Sequence, residues 1–250
     1  IMQYANHDEL TQLKSRRYGL TQMQQALLAM GDQQDFSIVL LDLDWFKNIN
    51  DNYGHDVGDQ VLSEIAQTLL NSLTEEAIVS RYGGEEFLIV LPDTSHDSAM
   101  MVAKQLRRDI AEQVISGDNH ADFNVTASLG VYTLTHDERA HIQREYRAAE
   151  AKENVQSPNH SKKDWPSIKG LQKSSPKHNS SQRRIAHRRK RVATEIANAQ
   201  LPIDICQRLI CIADKALYQA KDLGRNQVVS ANDVLTTENS TVISFYTASK

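Results

Sequence analysis

The stretch RYGGEEFLIV, residues 81–90, decides the fold because two β-prone runs meet there at a pair of glycines. The run AIVSRY precedes Gly83 and Gly84, and EFLIVL follows them after one glutamate. A Gly-Gly link between such runs predicts a β-hairpin with a two-residue type I′ turn, which needs positive φ at both glycines. Glu85 and Glu86 then stand side by side at the hairpin tip. Two like charges there cost free energy unless a cation neutralises them.

The segments around the hairpin extend it into a mixed sheet. FSIVLLDLD (36–44) is a continuous apolar run of strand length, and residues 123–134 and 226–230 are further predicted strands. Amphipathic spacing predicts helices over 58–73, 95–114 and 206–221. The order strand, helix, strand, strand, helix, strand is the split βαβ, ferredoxin-like plan. We therefore predict an α+β fold with a central, mostly antiparallel sheet flanked by helices.

That topology places acidic side chains at one edge. A strand-helix-strand crossover is parallel, and the hairpin puts the next strand antiparallel between the two. The end of the first strand should then lie beside the hairpin tip, with Asp42 close to Glu85. Mg²⁺ prefers one or two carboxylates, a carbonyl and phosphate oxygens, which Asp42, the Leu43 carbonyl and Glu85 could supply. The alternative is that these acids only end strands and point into water.

The charge is distributed unevenly. Residues 136–200 hold 15 Lys and Arg against 7 Asp and Glu, a net charge of +8, whereas the other residues hold 13 against 25, a net charge of −12. The segment has few apolar residues and no period, so it cannot bury enough surface to offset its ordering entropy. We predict a long, basic, flexible insertion there, with short helices at 137–153 and 182–200. The predicted domain comprises residues 1–135 and 201–230, and residues 231–250 form a tail.

A basic cluster and two cysteines bear on binding partners and on the redox compartment. The basic cluster at residues 188–191 could meet nucleic acid or an acidic membrane surface, but a solvated charge run is the alternative, and we expect no nucleic-acid partner. Cys206 and Cys211 are five apart on a predicted helix and point to different faces, so we expect no disulfide, in keeping with a reducing cytoplasm.

The sequence contains no apolar run of 18 residues and no signal-peptide pattern. We expect a cytoplasmic domain. Because the chain starts at Ile1 rather than Met, we also expect it to continue upstream, where sensor or membrane segments could lie.

Five blocks carry a resemblance to a known family. They are HDELTQLKSRR (7–17), DLDWFKNINDNYGHDVGDQVL (42–62), RYGGEEFLIV (81–90), VTASLGV (125–131) and ADKALYQAKDLGRNQV (213–228). In this order they resemble the GGDEF domain, the catalytic domain of diguanylate cyclases, over nearly all of the chain apart from the insertion and the tail. The signature loop of that family accepts either acid at its third position, so Glu85 is an allowed variant. The resemblance implies a nucleotide-cyclase or palm-like fold.

The resemblance also implies an activity. Two GTP molecules would be condensed into cyclic di-GMP and two pyrophosphates by a homodimer, since each chain binds one GTP. Two Mg²⁺ ions, for which Mn²⁺ could substitute, would be held by Asp42, the Leu43 carbonyl and Glu85. Either Glu85 or Glu86 would accept the proton of the attacking hydroxyl. Lys47 would stabilise charge on the phosphates, the alternative being an ordinary surface lysine.

Further residues match the nucleotide-binding positions of the family. Asn50 and Asp59 match its base-reading pair, and His55 lies in the same turn-rich loop. The alternatives are that Asp59 caps the following helix and that Asn50 holds a turn. Lys221 and Arg225 would reach the outer phosphates, where arginine offers a bidentate fork. The remaining predicted substrate contacts are Phe46, Gly83 and Gly84, the glycines because they let the backbone approach a ligand closely.

The chain departs from the family at several positions. An Arg-x-x-Asp product-inhibition motif is common there, but the matching positions here are Thr74 and Ala77, so we expect that inhibitory site to be absent. Gln12 and Ser15 replace the usual Gly and Asn, which we expect to be tolerated. Two other functions stay open: a catalytically inactive module that binds GTP or a protein, and a cyclase that makes a monomeric cyclic nucleotide.

Overall fold

The computed structural model describes residues 6–117, 120–141, 144 and 205–233. The strands are β1 (Lys14–Ser15), β2 (Phe36–Leu43), β3 (Ile78–Arg81), β4 (Glu86–Pro92), β5 (Val114–Gly117), β6 (His120–Asn124), β7 (Ala127–Leu134) and β8 (Val228–Ser230). The helices are α1 (Arg16–Ala29), α2 (Phe46–Tyr53), α3 (His55–Ser72), α4 (His96–Glu112) and α5 (205–222). A short helical segment, residues 136–141, follows β7.

Six strands form the central sheet in the order β1-β3-β4-β2-β7-β8. β4 lies between β3 and β2 and is antiparallel to both, and β7 is antiparallel to β2 on its other side. The two outer pairs, β1 with β3 and β7 with β8, are parallel. The four inner strands with α3 and α4 reproduce the ferredoxin-like order, so the predicted α+β fold is confirmed. β5 and β6 form a separate antiparallel pair.

Helices cover both faces of the sheet. Leu41 and Leu43 of β2 belong to the core shared with α2, α3 and α4. Ile38 and Leu40 belong to the core on the opposite face, shared with α1 and α5. Every residue of β2 is buried as a result. This explains why the strand reads as a continuous apolar run rather than an alternating one.

The hairpin differs from its predicted form. β3 ends at Arg81 and β4 begins at Glu86, so four residues connect them. The N–H groups of Tyr82 and Gly83 both donate to the Glu86 carbonyl, at 2.7 and 3.1 Å. Neither Gly83 nor Gly84 has positive φ, so the predicted type I′ turn is wrong although the hairpin itself is present. The longer loop is closed by the Arg81 side chain, which donates to the Gly84 carbonyl and removes the need for left-handed residues.

Several element boundaries also differ from the predictions. The sequence analysis predicted neither α1 nor α2, and α3 begins at His55, three residues before the predicted start. Gly54 separates α2 from α3 with a φ of 89°, a value that glycine adopts without steric cost. The strand predicted over 123–134 is two strands in different sheets, because β6 ends at Asn124 and β7 begins at Ala127. The helix predicted over 95–114 ends at Glu112.

The end of the described chain completes the central sheet. α5 packs on β7, and β8 adds to the free edge of that strand. Cys206 is buried and Cys211 is exposed on α5, and both are free, as predicted. Of the predicted insertion, only residues 136–141 and 144 are described. The helix predicted over 182–200, the basic cluster at 188–191 and most of the predicted tail lie outside the described residues.

Within the described ranges, no helix combines the length and the apolar character needed to cross a membrane.

Gly130 of β7 generates a test of the packing between β7 and α5. A Cβ at this position would overlap the carbonyl oxygen of Ala213 and the amide nitrogen of Leu217, both backbone atoms of α5. We expect Gly130→Ala to lower the free energy of unfolding by about 3 kcal/mol, because backbone cannot move aside cheaply. Gly84→Ala is the matched control, since a Cβ there meets no atom within 4 Å. Equal thermal unfolding of the two variants would contradict this packing.

Candidate active site

Three carboxylates meet at the edge of the sheet where β2 ends and β4 begins. Asp42 near the end of β2 is paired with Glu86, the first residue of β4. One step further along the ladder, the N–H of Leu43 donates to the Glu85 carbonyl at 3.2 Å. We call Asp42, Glu85 and Glu86 the acidic cluster. Their convergence follows from the strand order, which places β4 directly beside β2.

Burial and mutual repulsion act on all three groups. Desolvation raises the pKa of Asp42, and the neighbouring Asp44 adds to this, while Lys221 and Arg225 oppose it. The pKa of Glu85 is raised by desolvation and then by the charges of Asp42 and Glu86. Desolvation and Asp42 raise the pKa of Glu86 in the same way. The acidic cluster therefore favours either a proton or a nearby cation.

Lys221 supplies a cation in this structure. Its ammonium, carried on α5, lies 2.9 Å from Oδ1 of Asp42. The Asp42 side chain is only 8% exposed, so this carboxylate is largely shielded from water, whereas the Lys221 side chain is 31% exposed. Sequence analysis predicted Lys221 only as a phosphate contact. The structure adds that, without a ligand, the same ammonium partly neutralises the acidic cluster.

Asp44 was left without a role in the sequence analysis, and the structure gives it a structural one. Its side chain accepts hydrogen bonds from the hydroxyls of Thr126 and Ser128, each at 2.7 Å, and from the N–H of Asn226 at 2.9 Å. Asp44 is 4% exposed. The hydroxyls in the otherwise apolar block VTASLGV were the signal that a buried acceptor lies opposite them. Asp44 thus ties the loop after α5 to the end of β2.

That loop carries Arg225 in an unusual backbone conformation. Gly224, Arg225 and Asn226 have consecutive positive φ values of 113°, 67° and 47°. The Arg225 guanidinium lies 3.9 Å from the centroid of the Trp45 ring. Its charge also lowers the pKa of Asp42, although desolvation outweighs it. The loop therefore directs a second cationic side chain towards the acidic cluster. Sequence analysis missed Trp45, since an isolated aromatic residue carries no pattern.

The predicted base-reading residues lie on α2 and α3. Asn50 packs against Gly58, where a Cβ would overlap its Oδ1 and would lie 3.3 Å from Cζ of Phe46. Phe46 itself is 6% exposed and belongs to the core below α2, so in this structure it is a packing residue. Asp59 is exposed inside α3 and does not cap it, because the helix begins at His55 after Gly54.

The Asn50 backbone carbonyl accepts the Gly54 N–H at 2.9 Å and so also holds the turn between α2 and α3. His55 is the exposed first residue of α3 rather than a loop residue. Lys47 is exposed on α2. The structure thus brings Asp42, Glu85, Glu86, Lys221 and Arg225 together. It leaves Lys47, His55 and Asp59 on the solvent-facing surface of the adjoining helices.

An ion pair between Arg81 and Asp8 connects the hairpin to the turn before β1. The Arg81 guanidinium lies 3.1 Å from Oδ1 of Asp8 and also donates to the Gly84 carbonyl at 2.8 Å. Asp8 further accepts the N–H and hydroxyl of Thr11. Burial alone would raise the pKa of Asp8, but the hydrogen bonds from Thr11 and Arg81 outweigh it and lower the pKa. The turn before β1 therefore fixes the loop that carries Glu85. The sequence analysis assigned no role to either Asp8 or Arg81.

The donor atoms of the site fit a hard divalent cation only in part. Asp42, Glu85 and the Leu43 carbonyl offer oxygen ligands, which suit Mg²⁺. Over the described ranges, no three His, Cys, Asp or Glu side chains are grouped closely enough to hold a metal ion by themselves. The described residues would thus supply only part of a coordination shell, which is common for Mg²⁺ because this ion usually keeps several other oxygen ligands.

The raised pKa of Glu85 generates a stability test. A carboxyl whose folded pKa is raised contributes stability below its ordinary value of 4.5, and that stability is lost as the pH rises through the folded pKa. Ionised Glu85 therefore weakens the fold at neutral pH. We expect Glu85→Gln to raise Tm by about 2 °C at pH 7 without divalent metal. The difference should shrink towards zero below pH 4.5. The control is Glu75→Gln at an exposed position, and a lower Tm for Glu85→Gln at pH 7 would contradict the account.

Comparison with known proteins identifies one family. The family model described as diguanylate cyclase, GGDEF domain, matches residues 5–162. Diguanylate cyclase A of Treponema denticola is 36% identical over 141 residues, which are 55% of this chain and 38% of that protein. Diguanylate cyclase DgcM of Escherichia coli is 44% identical over 118 residues, which are 45% of this chain and 28% of that protein. The chain thus spans well under half the length of these curated relatives.

Solved structures agree in fold. The active GGEEF domain of a diguanylate cyclase from Vibrio cholerae is 25% identical, with a TM-score of 0.55 over 88% of this chain and 98% of that chain. The GGDEF domain of DgcB from Caulobacter crescentus, solved in complex with c-di-GMP, has a TM-score of 0.61. It is 20% identical over 91% of this chain and 96% of that chain, so the likeness shows the fold alone.

The family model covers more than half of the chain and spans the whole of β2 and the hairpin, whose loop reads GGEEF at residues 83–87. This chain belongs to the GGDEF family of diguanylate cyclase domains.

Proposed function

We propose that the domain is a diguanylate cyclase that condenses two GTP molecules into cyclic di-GMP. In each half-reaction the 3′-hydroxyl oxygen of one GTP attacks the α-phosphorus of the other. The new P–O bond forms as the bond to pyrophosphate breaks, and the hydroxyl proton passes to a carboxylate. Two such steps close the ring and release two pyrophosphates.

The observation that carries this proposal is the convergence of opposite charges at one sheet edge. The acidic cluster stands beside Lys221 and Arg225, which come from α5 and the loop after it. Acids that bind a divalent cation and cations that bind phosphates must lie side by side to hold a metal-bound triphosphate. Family membership then favours GTP over other nucleotides as the substrate.

Asp42, the Leu43 carbonyl and Glu85 would hold the metal, for which we propose Mg²⁺ with Mn²⁺ as a substitute. When bound, two such ions would lower the pKa of the attacking hydroxyl and stabilise the leaving oxygen. Lys221 would exchange its contact with Asp42 for the outer phosphates, and Arg225 would bind them in a bidentate manner. Lys47 would stabilise negative charge on the phosphates from α2.

Recognition of the base falls to the neighbouring helices. Asn50 and Asp59 would bind the edge of guanine, with His55 at the mouth of the same surface. The hairpin would let the nucleotide approach the backbone closely, since Gly84 has open space where a side chain would stand. Glu85 and Glu86 are both candidates for the proton acceptor. Each belongs to the acidic cluster, and neither is preferred by the present geometry.

Each chain offers one nucleotide site, whereas the reaction joins two nucleotides. We therefore propose that two copies face each other across a homodimer, each presenting its GTP to the other. An upstream sensor or signalling segment of the full-length protein would control how these copies meet. A domain that binds GTP without turning it over, or that makes a monomeric cyclic nucleotide, would contradict the proposal.

Two isosteric substitutions test the metal ligands. Asp42→Asn and Glu85→Gln preserve side-chain shape but remove the negative charge that a divalent cation needs, so we expect cyclic di-GMP formation to fall by at least about 100-fold. Glu75→Gln, at an exposed position before β3, is the matched control and should retain full activity. Pyrophosphate release and product mass report the result. Full activity in either site variant would exclude the metal assignment.

Lys221 gives a test with two opposite signs. A metal ion that binds Asp42 without nucleotide must displace the ammonium at 2.9 Å, so Lys221→Met should tighten binding of Mn²⁺ alone by about two- to fivefold. The same substitution should weaken GTP binding, since a phosphate contact is lost. Electron paramagnetic resonance measures free Mn²⁺ in the first experiment, and calorimetry measures GTP affinity in the second. Weaker binding of both ligands would mean that Lys221 only stabilises the fold.

A further inference from the structure

Trp45 is an exposed aromatic residue whose backbone adopts a conformation that is unfavourable for tryptophan. It has a φ of 60° and a ψ of 24°, in the left-handed region, at the residue before α2. Bulky side chains rarely adopt this region, where glycine and asparagine are common. The residue is 59% exposed, so core packing does not hold it there. The Trp45 ring does have a partner in the structure.

That partner is Arg225, whose guanidinium lies 3.9 Å from the centroid of the Trp45 ring. The backbone of Arg225 is held as well, since its N–H donates to the Ala220 carbonyl at 3.0 Å. Its neighbour Asn226 is fixed through the N–H to Asp44 at 2.9 Å and through Oδ1 to Arg107 at 2.8 Å. Both ends of the arginine are therefore restrained, the backbone by hydrogen bonds and the head by the aromatic ring.

The restrained head stands at the border of the acidic cluster. Trp45 directly follows Asp44, and the Arg225 charge acts on Asp42. A guanidinium that lies over the face of a ring can still offer N–H groups for a bidentate contact with phosphate. A free arginine loses considerable side-chain entropy when it binds a ligand, whereas a restrained one has already lost it.

We propose that Trp45 is a positioning residue for nucleotide binding: its ring holds the Arg225 guanidinium ready for the triphosphate of the substrate. This inference rests on the proposed function, because it assumes that a nucleoside triphosphate binds beside the acidic cluster. It adds a determinant of nucleotide affinity that acts through Arg225 and does not touch the reacting atoms.

A set of Trp45 variants separates the role of the aromatic ring from side-chain size. Trp45→Phe keeps an aromatic face and should bind nucleotide nearly as tightly as the original chain. Trp45→Leu and Trp45→Ala lose the face, and we expect each to raise the Kd by about two- to fivefold, the range given by an exposed cation–π contact. The same two variants should raise KM for GTP by a similar factor and leave kcat within about twofold. A purely structural role would lower kcat and Tm together.

Binding is measured with 3′-deoxy-GTP and Mg²⁺, because this analogue lacks the attacking hydroxyl and is not consumed. The chain contains two tryptophans, so Trp165→Phe leaves Trp45 as the only one. In that background we expect the fluorescence of Trp45 to change on titration with the analogue, because phosphate bound to Arg225 alters the contact between the guanidinium and the ring. Arg225→Ala should abolish this change. In a double-mutant cycle, Trp45→Ala should add almost nothing to Arg225→Ala.

The outcomes separate failure of the Trp45 positioning role from failure of the proposed function. If the original chain binds the analogue and Trp45→Leu binds it as tightly as Trp45→Phe, the positioning role is wrong while the proposed function stands. Additive effects of Trp45→Ala and Arg225→Ala on the Kd would also show that the positioning role is wrong. If the original chain fails to bind the analogue at all, the proposed function fails and this inference falls with it. Should Trp45→Ala fold poorly, the comparison of Leu with Phe still decides.

Discussion

Electrostatic repulsion within the acidic cluster is the constraint on which this structure depends. Asp42 and Glu86 are direct partners in the ladder between β2 and β4, with Glu85 one residue away, so the sheet itself forces the charges together. Burial raises the pKa of each group and adds to the cost. The fold tolerates the arrangement because Lys221 and Arg225 arrive from another part of the chain. Carboxyl groups with pKa values shifted in this way by burial and by neighbouring charges are typical of functional sites.

The segment that carries these cations also completes the sheet. α5 packs on β7 at Gly130, and β8, the last strand of the chain that the structure describes, pairs in parallel with β7. Asp44 binds the Asn226 N–H, so the position of the cationic loop is set by the residue two after Asp42. On the other side, Asp8 and Arg81 fix the hairpin loop. The acids and the cations are thus each held by a partly buried polar contact outside the acidic cluster.

Much of this could be predicted from sequence, for physical reasons that differ from residue to residue. The apolar run at 36–43 and the two runs around Gly83 and Gly84 have few alternatives to strands, and the strand order then follows from crossover rules. The site could be located because Asp42 and the two glutamates lie at strand ends that this order brings together.

The predicted turn type was wrong because a side chain, Arg81, closes the loop. α2 was missed because it is short, and because the residue before it, Trp45, lies in the left-handed region, where a tryptophan is not expected. Contacts between distant segments, such as Trp45 with Arg225, leave no local pattern to read.

The most direct test of the central claim is the identity of the product. The purified chain is incubated with GTP and Mg²⁺ at a series of protein concentrations, and the products are identified by mass. The account predicts cyclic di-GMP and pyrophosphate, with a rate per chain that rises with protein concentration because two copies must meet. A monomeric cyclic nucleotide, or tight binding of GTP without any product at every concentration, would contradict it.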